Sequence, residues 1–540
     1  MFKPHFLSMT LTAIFLTACQ SPSISNNNTL SNTQPSILMP TSTSTDSASV
    51  TEVVTPASVA SPAQPEAANS TAIPTTEAAL NVPSIQWQSC RNKAYKDWFD
   101  EVPKGLQCAI AQVPLDINQP KGKHIRLALS KMPATSKNPI GSLLIIGGGP
   151  GEQTLDFVDT SYYSTKITKS IRQRFDLIGY APRGIFPSTP TIDCGKIDPE
   201  SNDTQAFVEQ CITNTDKDVL NNISTTEAFK DIEQIRRALG QDQISLLGYS
   251  YGTKVLSDFV QHYPSSVRAA VLDGVVDVTE NYFDSLAGQE KGFQNSFERF
   301  AKYCLTHDAC ALRKGKDVNA EFHRFVRDVE RKKLKDASGA YITADDILYR
   351  VQNNLYWSSS WEKILDLMFD FKRNNTYAYN EQSYGAYSDI NPDTQDNSRD
   401  EVSLIAISCA DGAPKNISRE EYIAKSKWVD GLSPYDNYKA KKDEEYLDAC
   451  FYWPNQGKDT YAIPKAPENL PQIIFVAQKY DPTTPWVNAQ NMAKWFNAPL
   501  ITRNGDGHTL VLTGESDCID KAVVDYLLDP NKKVNSRECK

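Results

Sequence analysis

The stretch "ISLLGYSYGTKVL", residues 244–256, is an apolar run that stops at Gly248 and resumes with helix-forming residues. At the stop stands Gly248-Tyr249-Ser250-Tyr251-Gly252, a Gly-x-Ser-x-Gly pattern. The spacing has a physical reason. A strand ends, the chain reverses through a strained turn and a helix begins, so the serine hydroxyl is held out above the sheet. Glycines two before and two after the serine let neighbouring backbone pass close to that turn. Five-residue patterns also arise by chance, so a nucleophile needs a base, an acid and an oxyanion-binding loop elsewhere in the chain.

A second apolar run, 143–146, ends in Gly147-Gly148-Gly149-Pro150-Gly151. It reads as a buried strand with a glycine-rich loop at its carboxyl end. Neither Gly-x-Gly-x-x-Gly nor the Gly-Lys-Ser/Thr of a phosphate loop is present. Pro150 also removes a backbone donor that a phosphate cradle would use. The loop suits presentation of N–H groups to an oxyanion, with Gly148 and Gly149 as candidates beside the N–H of Tyr251. Further short strands are predicted at 177–180, 269–272, 472–478 and 499–502, and helices at 253–263 and 522–528. Ser224-Thr225-Thr226-Glu227 predicts a reciprocal capping box, followed by Ile232, Ile235 and Leu239 at helical spacing and a stop at Gly240. Apolar strands alternating with helices mean an α/β fold, a mostly parallel sheet with helices on both faces. From about 281 to 469 the pattern turns helical, charged and tyrosine-rich, with "FQNSFERFAKYC" and "SSWEKILDLMFDFKR" its clearest amphipathic pieces. This part reads as an insertion.

The base follows from elimination among the six histidines. His5 lies in an N-terminal leader, His124 precedes an early strand and His262 ends the helix after the serine. His307 and His323 fall in the insertion. His508, in "NGDGHTL", sits on a loop after a late strand, between glycines that let an imidazole reach inward. The acid that orients it has two candidates at carboxyl ends of strands, Asp481 and Asp273, and Asp481 is the favoured one. Ser250, Asp481, His508 is the chain order of the α/β-hydrolase triad.

With those residues in view, the chain after residue 85 resembles the tripeptidyl and prolyl aminopeptidase-like α/β-hydrolases of bacteria. The matching pieces are "GGGPG" (147–151), "APRG" (181–184), "GYSYGTK" (248–254), "VLDGVVD" (271–277), "AISCADG" (406–412), "QKYDPTTP" and "GDGHTLVL". The resemblance implies a peptide or ester substrate, no cofactor, and a helical cap, the 281–469 insertion, between core parts 85–280 and 470–540. Where family members commonly have Asp-Pro-Arg-Gly, this chain has Ala181-Pro182-Arg183-Gly184, so a carboxylate near the sheet's carboxyl edge is missing. An aminopeptidase needs a carboxylate for the substrate ammonium, and Asp411 and Glu152 are the candidates. An esterase of the same fold needs none.

The N-terminus adds a location. Residues 6–16 are apolar but too short to span a bilayer, and Leu16-Thr17-Ala18-Cys19 resembles a bacterial lipobox. The expectation is a lipoprotein signal over 1–19 with Cys19 lipidated as a membrane anchor; an ordinary cleaved signal peptide is the alternative. Gln20 in place of an aspartate resembles outer-membrane sorting. Residues 20–84, rich in Ser, Thr, Pro and Ala as far as about Ala79, cannot bury enough apolar surface to offset chain entropy and read as a tether. Roughly sixty flexible residues reach about 40–45 Å.

Eleven cysteines suit export, and ten remain after Cys19. Cys90, Cys108, Cys194, Cys211, Cys304, Cys310, Cys409, Cys450, Cys518 and Cys539 cluster in neighbouring pairs. Five sequential disulfides are the simplest expectation, although spacing does not dictate connectivity. No Cys-x-x-Cys occurs, and no metal is expected. With 540 residues, 40% hydrophobic, the chain is long enough for a large core, and a formal charge of −10 argues against a nucleic-acid partner.

Overall fold

The computed structural model describes residues 83–540 apart from 100, 160–164, 196–202, 382–396, 455 and 458–461. Cys19 and the expected tether before residue 83 lie outside them. In chain order the strands are β1 (Gln88–Ser89), β2 (Gln107–Pro114), β3 (His124–Met132), β4 (Gly141–Ile146) and β5 (Phe175–Tyr180). They continue with β6 (Ile244–Tyr249), β7 (Val267–Asp273), β8 (Ile474–Tyr480), β9 (Leu500–Asp506) and β10 (Arg537–Cys539). All ten form one sheet in the order β1-β2-β3-β5-β4-β6-β7-β8-β9-β10. β1, β2 and β3 form an antiparallel meander that pairs antiparallel with β5. From β5 to β10 every neighbour is parallel.

The parallel strands are apolar on both faces because both faces are covered. In β6, Ile244 and Leu246 enter one core with Phe229, Ile232, Val255, Phe259 and Met492 of the helices Thr225–Ala238, Tyr251–His262 and Trp486–Trp495. Leu247 and Tyr249 enter the other with Ile171, Ile519, Val523 and Leu527 of Thr165–Arg174 and Asp517–Leu528. Each fully buried Leu or Ile contributes about 1.5–3 kcal/mol by leaving water, so this short strand is committed to its register. The chain thus has the α/β-hydrolase fold.

Between β7 and β8 runs a helical stretch from Tyr282–Cys304 to Ala449–Tyr452. Its helices Tyr282–Cys304, Val318–Lys332, Ala344–Leu355 and Trp361–Lys372 share a core built on Phe297, Phe300, Phe322, Met368 and Phe371. A second cluster packs Val402 and Ile405 of Asn397–Gly412 and Tyr422 of Arg419–Asp430 against Ile185, Ile192 and Val208. Disulfides join Cys90–Cys108, Cys194–Cys211, Cys304–Cys310, Cys409–Cys450 and Cys518–Cys539.

Two local expectations differ from the structure. Only half of the capping box forms: Ser224 accepts from the Glu227 N–H, but the Glu227 carboxylate pairs with Lys230 at 3.3 Å. The antiparallel meander before β4 also extends the sheet by β1 and β2, which the apolar-run pattern did not single out, beside the early strand expected after His124.

Candidate active site

The parallel register brings the relevant loops to one edge. Tyr249 of β6 pairs with Asp273 of β7, and Asp273 with Val476 of β8. Ile146 of β4 lies beside Gly248, so the 147–151 loop leaves the sheet next to the serine turn. Ligands of open parallel sheets bind at this carboxyl edge.

Ser250 is the first residue after β6 and has φ +52° and ψ −121°. A non-glycine residue there costs on the order of 1–3 kcal/mol and persists only where its surroundings hold it. Here the Ser250 N–H donates to the Asp273 carbonyl at 2.8 Å, and Thr253 Oγ1 donates to the Ser250 carbonyl at 2.6 Å. The flanking glycines are needed for close approach. A Cβ on Gly252 would fall 2.5 Å from the Ile146 carbonyl oxygen, and one on Gly248 would fall 2.8 Å from that of Gly252.

His508 lies two residues past β9 and is buried. Its Nδ1 stands 2.9 and 3.0 Å from the two carboxylate oxygens of Asp481. A Cβ on Gly274 would meet His508 Cε1 at 3.0 Å, so the imidazole rests on the turn that begins at Asp273, the residue holding the Ser250 N–H. Ser250 Oγ makes no hydrogen bond to any described residue. Such contacts commonly tighten only when substrate is bound. Burial pulls the His508 pKa down, but the charge and hydrogen bond of Asp481 outweigh it and leave the imidazole above its ordinary value.

Asp481 is held by the two threonines that follow Pro482. Its Oδ1 accepts from the N–H of Thr483 and of Thr484 at 2.9 Å each, and its Oδ2 accepts from Thr484 Oγ1 at 2.7 Å. The same Thr484 oxygen is 3.2 Å from His508 Nδ1. Thr484 is a site residue beyond the three expected from sequence, and Asp-x-Thr-Thr is the Asx-turn signal that marks it. Asp273 has a different task. Its Oδ2 accepts from the N–H groups of Leu510 and Val511 at 2.7 Å each, so it ties the histidine loop to β7 without touching the imidazole. Desolvation in this fully buried position pushes its carboxyl up to about 7.

Three expectations about the surroundings need correction. The Gly148 N–H is not open to an oxyanion, because it donates to Glu152 Oε2 at 2.5 Å; the Gly149 N–H has no partner among the described residues. Glu152 therefore spends that oxygen bracing the glycine loop rather than waiting for a substrate ammonium. Asp411 is buried, with Oδ1 accepting from the Thr225 N–H at 2.8 Å, Oδ2 accepting from the Thr225 hydroxyl, and Lys254 at 3.6 Å. Thr225 Oγ1 is in turn 2.7 Å from Tyr251 Oη, so Asp411 steadies the residue after Ser250. Ala181 packs with Ala128 and Leu155 in a small buried apolar cluster, where a carboxylate would lose its hydration. The neighbouring Arg183 is buried and bonds Asp231 through two 2.7 Å contacts.

The other described histidines lie elsewhere. His262 stacks on Phe229, His124 is exposed, His307 bonds the Tyr303 carbonyl and His323 the Tyr435 carbonyl. A small cleft beside the glycine loop is lined by Gly148, Glu152, Ser224 and Tyr251 of the core and by Ile407 of the insertion.

Residues 434–539 match the family described as TAP-like protein. The chain is 34% identical to the putative hydrolase YuaR of Escherichia coli, over 83% of this chain and 91% of that protein. It is 30% identical to carboxylesterase B of Mycobacterium tuberculosis, over 86% of this chain and 92% of that one. To the serine protease Hip1 of the same organism it is 29% identical, over 84% and 91%. Identity of this extent across nearly the whole folded part means that the chain belongs to the TAP-like family of α/β-hydrolases.

Proposed function

We propose that this protein is an exported serine hydrolase, and specifically an aminopeptidase that releases short peptides or single residues from free N-termini. The observation that carries the serine chemistry is the Asp481–His508 pair at 2.9 Å beside a serine held at positive φ. His508 takes the Ser250 proton, and the serine oxygen attacks the substrate carbonyl to give an acyl-enzyme that water clears. The negative oxygen of the tetrahedral intermediate accepts from the N–H groups of Tyr251 and Gly149, each worth about 10²–10³ in rate. The aminopeptidase reading is supported by the TAP-like match over residues 434–539.

An esterase is the second reading, favoured by the likeness to carboxylesterase B. Chromogenic peptide anilides with free and with acetylated N-termini, assayed beside simple esters, separate the two. An aminopeptidase cleaves the free-amine anilides and loses them on acetylation. Turnover of esters alone would remove the peptidase reading and keep the triad.

Export is supported by the five disulfides, which persist in oxidising compartments. No helix among the described residues is long and apolar enough to cross a membrane. A lipid on Cys19 would place the enzyme at the membrane surface of a bacterial envelope, on the outer membrane by the residue that follows it. Radiolabelled palmitate is expected to enter the wild-type protein and not Cys19→Ala; equal labelling of both would overturn the anchor.

A further inference from the structure

We propose that Trp357, on the helical insertion, is a positioning residue for the catalytic base, so that the insertion forms part of the seat of His508 and is more than a cover over the cleft. The inference rests on the reading of His508 as the base.

The pairing of β8 with β9 ends at Tyr480–Asp506. Beyond it, three successive residues of the insertion meet three successive residues of the histidine loop. Tyr356 accepts the His508 N–H on its carbonyl at 2.9 Å. Trp357 pairs with Gly507 as an antiparallel bridge, and its indole Nε1 donates to the His508 carbonyl at 2.6 Å, across 151 residues of sequence. Ser358 Oγ donates to the Asp506 carbonyl at 3.2 Å. Both backbone polar groups of His508 are therefore satisfied by the insertion and neither by the sheet. Two and three residues further on, Asp273 holds the N–H groups of Leu510 and Val511. The base hangs between a clamp from the core and a clamp from the insertion.

The fit of the indole is close. Gly507 has φ +148°, and a Cβ there would meet Trp357 Cδ1 at 3.1 Å, so the ring lies against a bare Cα. The Tyr356 ring meets the imidazole edge-on with centroids 6.0 Å apart. Arg299 of the helix Tyr282–Cys304 fixes the same region from the side: it bonds Asp506 and lies 3.6 Å over the Tyr480 ring, next to Asp481. In the same helix, a Cβ on Gly292 would fall 2.1 Å from the Pro482 carbonyl oxygen, so helix and acid loop are in direct contact.

Removing the indole N–H leaves the buried His508 carbonyl without a donor, and an unsatisfied buried acceptor is relieved by movement. Movement here carries the imidazole away from Asp481. Two variants test this: Trp357→Phe, and tryptophan replaced at 357 by its sulfur isostere 3-benzothienylalanine, which keeps the shape and loses only the donor. The expected result is a kcat lower by about 10²-fold, the loss that about 1 Å of misplacement brings, with KM unchanged. The acid limb of kcat/KM is expected to move to lower pH, because the Asp481 pairing that raises the His508 pKa is weakened. Unchanged kcat and an unmoved limb in the isostere would overturn the proposal. So would a change confined to KM, which would make Trp357 a substrate contact, or a kcat loss with an unmoved limb, which would make its role structural only. Ser250→Ala, assayed in the otherwise wild-type enzyme, reports separately on the reading underneath, since turnover surviving there would remove the triad whatever Trp357 does.

Discussion

Ser250→Ala is expected to lower kcat by about 10⁶-fold, the scale at which loss of the nucleophile of such a triad acts. The substitution removes one oxygen from a partly buried position and leaves the bond from the Ser250 N–H to the Asp273 carbonyl and the flanking glycine contacts in place. The turn therefore persists, and KM is expected to change little, because alanine takes nothing from the cleft walls. A fluorophosphonate probe, which reports only an activated serine, is expected to label the wild type and not the variant. Persistent labelling of Ser250→Ala would sink the nucleophile assignment, and a variant that labels poorly because it is unfolded would be exposed by its melting curve.

Asp481→Asn is the second large effect, with kcat expected to fall by about 10⁴-fold. An amide in that place donates a hydrogen to Nδ1 or withdraws its oxygen's charge, so the imidazole is held in the wrong tautomer and its protonated form loses its counter-charge. The pH dependence follows from the same contact. Activity requires neutral His508 and so rises with pH through its pKa. In the wild type burial lowers that pKa and Asp481 raises it further, which sets the acid limb above the ordinary histidine value. In Asp481→Asn the main raising influence is gone while burial stays, so the limb is expected to shift to lower pH. Asp273→Asn is the contrast. Its amide oxygen can still accept from Leu510 and Val511, and the carboxyl it replaces, pushed to about 7, is already partly neutral near pH 7. It is expected to keep the greater part of kcat. The reverse outcome, activity lost in Asp273→Asn and kept in Asp481→Asn, would exchange the two acids.

The strand-to-helix turn, the late aspartate and the histidine between glycines were legible because each is a local pattern: an apolar run, a break and a small residue where the backbone needs room. Local too was the clustering of cysteines. Contacts between distant segments left no such mark. Nothing in "YWSSS" announces that Trp357 reaches the His508 carbonyl, because that bond depends on how the insertion folds back on β9. Asp411 is a candidate receptor by sequence, but it is taken by Thr225 and Lys254, as Glu152 is taken by the Gly148 N–H. A carboxylate's availability depends on what surrounds it, and composition carries only its presence. Of the meander, β1 and β2 escaped for a related reason, since β2 mixes buried, partly buried and exposed positions instead of forming one continuous apolar run.

The cross-links follow a simple rule. Each cysteine from Cys90 to Cys539 is joined to its nearest unused neighbour along the chain, across separations of 18, 17, 6, 41 and 21 residues. For a polypeptide threaded N-terminus first into an oxidising space, order of arrival and order of partnership coincide. Every thiol that emerges second finds its native mate already waiting and every earlier pair already closed. Maturation of such a chain asks for an oxidant and not for a catalyst that reshuffles mistakes.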